Sequence, residues 1–356
     1  MTQSTHTVEK IGGTSMSRLD ELIETLFQRD DPAKIHNRMF VVSAFGGITD
    51  LLLEHKKTGE AGVYARFAND EDDHGWLDAL SGVAKGMREA HGAVLDSPAD
   101  LSDADDFVRD RVEGARNCLI DLQRLCSYGH FRLSQHMMLT RELLSGLGEA
   151  HSAYVATLAL RRAGINARFV DLSGWRDERE MTLDERIHDG LDDVDVTEEL
   201  PIITGYAQCR EGLMAEFDRG YSEVTFSRIA ALTGAHEAII HKEFHLSSAD
   251  PKLVKGKVRK LGHTNYDVAD QLSNMGMEAI HPKAAKTLRQ ADVALRVTNA
   301  FEPHDPGTLI DDQPADAPGA EIVTGLEAHA LELFEQDMVG VKGYDAQILE
   351  LLTRHG

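Results

Sequence analysis

A pattern of strand, paired glycines, hydroxyl and helix occurs twice within the first fifty residues, and it constrains the fold more than any other feature. The apolar run Val8–Ile11 ends in Gly12-Gly13-Thr14-Ser15, and a helical pattern begins near Arg18. The second copy is a strand at 39–44 followed by Phe45-Gly46-Gly47-Ile48-Thr49-Asp50. Because open α/β sheets bind ligands where their strands end, two such turns at neighbouring strands predict one shared crevice.

The first of these turns has the chemistry of an anion site. Paired glycines let the backbone approach a ligand closely, and successive N–H groups ahead of a helix form a concave site for negative charge. Lys10 adds a positive charge where a transferring phosphoryl group needs it. An ordinary strand–turn–helix corner is the alternative, since Gly-Gly marks turns of many kinds. The spacing matches neither the Walker A pattern nor the dinucleotide fingerprint.

Composition narrows the class of protein. The 356 residues allow one large α/β domain with a smaller piece, or two domains, and 37 Lys and Arg against 60 Asp and Glu give a net charge of −23. Such a surface repels nucleic acid and anionic membranes, which argues against both as partners. Three cysteines without a CxxC pair favour free thiols in a reducing compartment. With no apolar run of transmembrane length, the sequence predicts a cytoplasmic protein.

Further strands and helices alternate along the chain. Strands are predicted at 168–172, 200–206, 214–217, 238–242 and 295–297, and helices from Asp103, over 150–160, after Glu223 and over 267–276. The acidic stretches 69–73 and 184–199 are interpreted as solvated segments. Residues 311–320 are typical of a linker, and 322–352 predict one strand, a glycine turn and one helix, too little for a stable domain.

Three charged positions have both a structural and a functional interpretation. Glu149 is expected at a helix start, where the dipole favours a carboxylate, or it holds the ammonium group of a substrate. Arg219 is a surface arginine, or its planar fork binds a carboxylate. Glu223 caps a helix, or it serves proton or metal chemistry. The acidic chain also contains a cluster of basic residues, which is interpreted either as a solvated loop or as a site for a triphosphate. The cluster consists of Lys252, Lys255, Lys257, Arg259 and Lys260.

Taken together, six ordered stretches between Lys10 and Leu351 resemble the aspartate kinases of the amino-acid-kinase fold. These stretches are 10–15, 41–50, Gly148-Glu149, 219–223, 276–282 and 299–309. The sequence at 51–59 and 240–244 is similar to the branch dedicated to ectoine synthesis, which the acidic composition fits. The resemblance implies an α/β fold, a three-layer αβα sandwich with a mainly parallel sheet. It implies a catalytic domain over 1–310, a linker at 311–320 and a partial, truncated or divergent ACT-like βα segment over 321–356.

The resemblance also implies roles for individual residues. Lys10 neutralises charge on the transferred phosphoryl group, and Gly12, Gly13 and Ser15 form the phosphate loop. The expected aspartate contacts are Thr49, Ser43, Glu149 for the α-ammonium group, Arg219 for a carboxylate, and Ser222. The family has Gly-Arg-Gly-Gly-Ser-Asp where this chain has Asp218-Arg219-Gly220-Tyr221-Ser222-Glu223, so the acidic catalytic role falls to Glu223. The expected nucleotide contacts include His241 and Lys242, which replace the family's Thr-Asp, with Lys257, Arg259 and Lys260.

The implied reaction moves the γ-phosphoryl group of ATP to the β-carboxylate of L-aspartate. A carboxylate with a reference pKa of about 4 is already a nucleophile, so no general base is needed. ATP and Mg²⁺ are the expected cofactors, with the metal held by ATP and water rather than by protein ligands. The expected assembly is a homo-oligomer, specifically a dimer. A nucleotide-binding regulatory subunit that lacks activity, and a related amino-acid kinase such as glutamate kinase, remain as alternatives.

Overall fold

A mostly parallel sheet of eight strands forms the centre of the protein. The computed structural model describes residues 6–28, 34–69, 75–217, 220–249, 254, 258–274, 280–314, 322–323 and 343–355. The strands are β1 (Thr7–Ile11), β2 (Arg38–Val42), β3 (Ala167–Val170), β4 (Leu200–Thr204), β5 (Glu237–Lys242), β6 (His263–Asn265), β7 (Ala294–Asn299) and β8 (Thr308–Asp311). Their order is β3-β4-β2-β1-β5-β7-β8-β6, and β7 and β8 are the antiparallel pair.

Helices connect these strands and pack on the sheet. The first half contains α1 (Gly13–Met16), α2 (Leu19–Leu22), α3 (Ile48–Leu52), α4 (Val63–Asn69), α5 (Gly75–Gly92), α6 (Pro98–Ser127) and α7 (Met137–Arg162). The second half contains α8 (Leu183–Leu191), α9 (Leu213–Phe217), α10 (Tyr221–Thr233), α11 (Tyr266–Asn274), α12 (Pro282–Gln290) and α13 (Tyr344–His355). Helix α7 packs against β2, β3 and β4, whereas α10 packs against β1, β2 and β5. The α/β prediction is confirmed.

The central strands are apolar, as expected for strands of a parallel sheet covered by helices. All five residues of β2 and all five of β4 are buried. The five strands β1, β2, β4, β5 and β7 run parallel, so their carboxyl ends lie at one edge. Strand β1 lies between β2 and β5, which places the glycine turn after Ile11 at the point where the chain order reverses. A ligand crevice is expected at such a point.

The predicted strand at 214–217 is wrong, because these residues form the helix α9. Four apolar-rich residues do not distinguish a strand from a helix by periodicity. A contact with a distant segment of the chain stabilises the helical conformation here. The Glu142 carboxylate of α7 accepts hydrogen bonds from the Met214 and Ala215 N–H groups, at 2.7 and 3.3 Å, and so satisfies donors of the first helical turn.

Other boundaries also differ from the predictions. The helix expected near Arg18 begins at Gly13 and is broken into α1, α2 and a π-helical turn at Ile23–Phe27. The helix expected from Asp103 begins at Pro98, and α4 and α5 occupy part of the region between 54 and 100, for which no helix was predicted. Most of the acidic stretch 69–73 lies outside the described residues.

Contacts divide the chain into two units, Met1–Thr324 and Gly325–Gly356. In the second unit the structure describes α13, which matches the expected helix, and Gly343 before it has a positive φ of 93°. Residues 315–320 of the expected linker and 324–342 lie outside the described residues, so the domain boundaries and the ACT-like assignment stay predictions. Cys118, Cys126 and Cys209 are free thiols. In the described part of the chain, no helix combines the length and apolarity needed to span a membrane.

Candidate active site

Two adjoining cavities open at the carboxyl edge of the sheet. The Glu149 cavity, of about 450 Å³, is lined among others by Thr49, Glu149 and Tyr221. The Lys10 cavity, of about 500 Å³, is lined among others by Lys10, Glu223 and Lys242. The residues that line both cavities are Gly13, Thr14, Ser43, Lys56 and Ser222. The shared crevice predicted from the two glycine turns is therefore present.

A buried carboxylate lies between two lysines in the Lys10 cavity. Glu223 Oε1 lies 3.5 Å from Lys10 Nζ and 3.7 Å from Lys242 Nζ, and Glu223 Oε2 accepts a hydrogen bond from the His281 N–H group. Burial acts to raise the pKa of Glu223, but the charges of Lys10 and Lys242 outweigh it and leave the pKa below its ordinary value. Glu223 is therefore ionised at neutral pH and holds both lysines in place.

A chain of hydroxyls leads to a second buried carboxylate in the Glu149 cavity. Ser43 Oγ donates to Ser222 Oγ at 3.3 Å, and Ser222 Oγ donates to Glu149 Oε1 at 2.7 Å. Glu149 is 2% exposed, and its Oε2 is buried without a hydrogen bond of good geometry to any described residue. Burial raises the pKa of Glu149 to about 8, although the Ser222 hydroxyl, the charge of Lys10 and weaker contacts from the Tyr206 main chain and the Tyr221 side chain act in the opposite direction. The site therefore holds a carboxyl group with unused capacity for a cation.

Glu149 does not lie at a helix start, so the capping interpretation is wrong. It lies twelve residues inside α7, which runs over Met137–Arg162. The predicted helix covered only 150–160, whereas α7 begins at Met137. A Cβ on Gly148 would lie 2.9 Å from the Ala44 side chain. The glycine lets α7 pack closely against the segment after β2 and brings Glu149 to the strand ends.

The paired glycines after β1 have different roles. The Met16 N–H donates to Gly12 O at 2.9 Å, so the first helical turn begins directly at the pair. A Cβ on Gly13 would lie 2.5 Å from the Ala44 carbonyl oxygen, whereas a Cβ on Gly12 would meet nothing within 4 Å. Gly13 therefore permits the close contact between the two glycine turns, and Gly12 is free of this constraint.

We expect Gly13→Ala to lower the free energy of unfolding by about 1–3 kcal/mol, because a carbonyl oxygen of the main chain cannot rotate away as a flexible side chain does. The matched variant Gly12→Ala is expected to change it by less than about 0.5 kcal/mol, since its φ of −75° and ψ of 160° suit alanine. Urea unfolding of both variants measures the difference. Equal losses of stability in the two variants would contradict the assignment of the contact to Gly13.

Ser15 and Thr49 differ in their access to the site. The Ser15 hydroxyl is fully buried and donates to Glu243 Oε1 at 2.6 Å, and Ser15 lines neither cavity. Its neighbour Thr14 lines both cavities instead. Thr49 lies in α3, half-buried, in the lining of the Glu149 cavity, as the substrate prediction requires.

The predicted nucleotide residues are only partly brought together. His241 and Lys242 line the Lys10 cavity, but the His241 ring is held by Glu9 at 2.7 Å through Nε2 and by Thr298 at 2.8 Å through Nδ1. Arg259 and Lys260 are exposed and line neither of the two cavities, and Lys260 pairs with Asp305. Lys257 and Arg219 lie outside the described residues.

Several cavity residues were not singled out from the sequence. His281 lines the Lys10 cavity, donates its N–H group to Glu223 and caps α12. Its place at a helix start before Pro282 is a signal of a cap, but the contact with Glu223 spans 58 residues of sequence. Lys56 and Lys57 line the Glu149 cavity, and the stretch 51–59 that contains them was noted only for its resemblance to one branch of the family.

Comparison with known proteins identifies the family of this chain. The model of the amino acid kinase family matches residues 6–299. The aspartate kinase Ask_Ect of Stutzerimonas stutzeri is 54% identical over 353 residues, which cover 98% of this chain and 74% of that protein. Aspartokinase 2, chloroplastic, of Arabidopsis thaliana is 24% identical over 360 residues, which cover 96% of this chain and 61% of that protein.

Solved structures show the same fold. Aspartokinase III of E. coli in complex with lysine and aspartate superposes with a TM-score of 0.69 at 18% identity, covering 98% of this chain and 75% of that chain. Its complex with aspartate and ADP gives a TM-score of 0.65 at 19% identity, covering 98% of this chain and 74% of that chain. With the family model and the 54% identity to Ask_Ect, these findings show that the chain belongs to the amino acid kinase family and, within it, to the aspartate kinases.

Proposed function

We propose that this protein transfers the γ-phosphoryl group of ATP to the β-carboxylate of L-aspartate, giving 4-phospho-L-aspartate and ADP. The observation that carries the proposal is Glu149, a buried carboxyl group with one oxygen available, in a cavity that adjoins a lysine-lined cavity. A buried carboxylate is stabilised when it meets a cation. The α-ammonium group of a free amino acid supplies one, and an acetylated amino group does not.

The two cavities divide the substrates between them. Aspartate occupies the Glu149 cavity, with its ammonium group on Glu149 and its side chain toward Ser43 and Thr49. The triphosphate occupies the Lys10 cavity, along Gly12 and Gly13. The residues shared by both cavities then lie between the β-carboxylate and the γ-phosphoryl group. Arg219, which lies outside the described residues, keeps its predicted role as the clamp on a substrate carboxylate.

The chemistry needs alignment and charge neutralisation more than proton transfer. The β-carboxylate is ionised at neutral pH and attacks the γ-phosphorus, while the bond to the β,γ-bridging oxygen breaks and ADP leaves. Lys10 and Lys242 neutralise negative charge on the phosphoryl oxygens. Glu223 fixes the positions of these two lysines, because its Oε1 lies within 4 Å of both Nζ atoms, at 3.5 and 3.7 Å. It acts as a positioning residue, not as a proton donor.

Magnesium enters with the nucleotide in this proposal. The Lys10 cavity offers two described carboxylates, Glu223 and Glu243. Glu223 faces two lysines and a backbone N–H group, and Glu243 accepts the Ser15 hydroxyl. These partners leave a poor ligand set for a hard divalent cation, so we assign its coordination to the phosphates of ATP and to water. When bound, Mg²⁺ offsets charge on those phosphates.

The acidic composition and the 54% identity to Ask_Ect support a place in the ectoine branch, in a salt-rich cytoplasm.

The decisive experiment is ADP release from MgATP with L-aspartate, with L-glutamate and without an acceptor, at low and high salt. We expect turnover with aspartate alone, and faster turnover at high salt. Turnover with glutamate would assign a different amino-acid kinase, and none with any acceptor in folded protein would favour a nucleotide-binding subunit. Assembly as a homodimer stays a prediction.

A further inference from the structure

We propose that Lys56 contacts the transferring γ-phosphoryl group, as a cation supplied by the loop between α3 and α4; this inference rests on the proposed function. Five residues line both cavities, and the other four, Gly13, Thr14, Ser43 and Ser222, are uncharged. Lys56 therefore carries the one full charge among the described residues that are shared by the donor and acceptor cavities. That is the position at which a phosphoryl group passes from one to the other.

The charges of the Lys10 cavity show why another cation is needed there. Apart from Lys56, its described lysines and carboxylates are Lys10, Lys242, Glu223 and Glu243, and these four sum to zero. The γ-phosphoryl group and the attacking β-carboxylate are both anions and repel each other at contact distance. A positive side chain between them lowers this repulsion and stabilises the charge that spreads over the phosphoryl oxygens in the transition state.

The loop that carries Lys56 has a defined internal structure. The His55 N–H donates to Glu60 O at 2.8 Å, and the Gly59 N–H donates to His55 O at 2.9 Å. The His55 ring accepts the Thr58 N–H at Nδ1, at 3.1 Å, and Glu54 pairs with Ala61 in an antiparallel bridge. These bonds form a closed hairpin, so the main chain of Lys56 is ordered before a substrate arrives.

The base of the loop is fixed to the two helices that carry the acceptor residues. Arg141 of α7 makes two hydrogen bonds to Glu54, at 2.9 and 2.7 Å, and α7 also carries Glu149. The Lys56 N–H donates to Asp50 of α3, at 3.3 Å, directly after Thr49. A Cβ on Gly62 would lie 2.5 Å from the Leu51 carbonyl oxygen, so the loop returns tightly against α3. The loop is thus positioned by the elements that hold the acceptor.

The test compares a ligand that has a γ-phosphate with one that lacks it. Dissociation constants for the magnesium complexes of adenylyl imidodiphosphate and of ADP are measured by calorimetry, alongside kcat and KM with aspartate. In Lys56→Met we expect about tenfold weaker binding of the imidodiphosphate, unchanged binding of ADP, and kcat lower by about 100-fold. Lys56→Arg is expected to recover part of kcat, since it restores the charge.

Lys85→Met is the matched control. Lys85 is exposed on α5, pairs with Glu89 at 3.7 Å and lines neither cavity, and its removal changes the net charge by the same amount. The inference would be overturned if Lys56→Met changed the dissociation constants of both nucleotides equally or changed neither. It would also be overturned if Lys85→Met had the same effect as Lys56→Met. The nucleotide comparison needs no acceptor, so it still decides the role of Lys56 if wild-type protein fails to phosphorylate aspartate.

Discussion

Lys10→Met is expected to lower kcat with aspartate about 1,000-fold, a loss of about 4 kcal/mol of transition-state stabilisation. Lys10 is buried at the end of β1, in a cavity where a charge is poorly screened by water. Gly12 and Gly13 line the same cavity, so in the proposed function the charge of Lys10 acts on the phosphoryl group at short range. Initial rates of ADP release at saturating MgATP and aspartate measure the change.

Removal of Lys10 also leaves Glu223 with fewer cations, and this effect must be separated from the loss of catalysis. The double variant Lys10→Met with Glu223→Gln removes both charges, so no carboxylate is left poorly compensated. We expect the double variant to regain stability in thermal unfolding and to remain about as inactive as Lys10→Met alone. Recovery of kcat in the double variant would show that Lys10 serves to neutralise Glu223, and would refute its role at the phosphoryl group.

Glu149→Gln is expected to raise KM for aspartate about 100-fold, which corresponds to about 2.7 kcal/mol, with KM for MgATP nearly unchanged. Glutamine keeps the shape and the hydrogen bond from Ser222 but cannot pair with an ammonium group. Steady-state kinetics with each substrate varied in turn measures the two constants. A parallel rise in both KM values would show a general disturbance of the site in place of a lost contact to the acceptor.

The raised pKa of Glu149 gives this prediction a pH signature. Below a pKa of about 8 the carboxyl group is mostly protonated and must lose its proton to pair with the ammonium group. We therefore expect kcat/KM for aspartate in wild-type protein to rise with pH up to about 8 and then to level off. In Glu149→Gln this rise should be absent. A rise of the same size in the variant would assign the titration to another group.

Stability should show the opposite trend. The pKa of Glu149 is higher in the folded state than in the unfolded state, so the folded state binds more protons between these two values. The free energy of unfolding therefore falls as pH rises from 4.5 to about 8. The loss approaches at most about 1.4 kcal/mol per pH unit. We expect Glu149→Gln to be more stable than wild-type protein at pH 8, and this advantage to shrink toward pH 5. Chemical unfolding at both pH values tests the sign.

The sequence was most informative where a feature is local. The glycine turns, the buried strands and Lys10 at the end of β1 depend on residues close together in the chain, and the structure has them as predicted. Contacts between distant segments could not be predicted in the same way. The hydroxyl of Ser15 suggested a phosphate contact, but it is bonded to Glu243, 228 residues away.

Tertiary contacts also explain the errors in helix assignment. The helix predicted over 150–160 did not extend to Gly148, whose close contact with Ala44 joins distant segments. Likewise, α9 has no helical signature in its own residues, and Glu142 of α7 stabilises its first turn. The position of Lys56 could not be predicted for the same reason, because its own segment does not show that two cavities adjoin beside it. The family resemblance assigns the acceptor contacts to Ser43, Thr49 and Glu149, and these roles stay predictions, while the way in which α7 presents Glu149 could not be predicted from the sequence.

The His241 ring, held by Glu9 and Thr298, belongs to a group of buried polar residues with a consequence for assembly of the sheet. Glu9 also binds Arg38 through two hydrogen bonds, at 2.7 and 3.0 Å, so one carboxylate joins β1 to both β2 and β5. If β2 slid by one residue along β1, Glu9 would lose the charge of Arg38, and if β5 slid, Glu9 would lose its hydrogen bond to His241; either shift leaves a buried carboxylate with fewer partners. The network therefore selects one register of the three strands, although their apolar residues alone would permit other registers. This register fixes how far along the sheet Lys10, Ser43 and Lys242 lie relative to one another at the crevice.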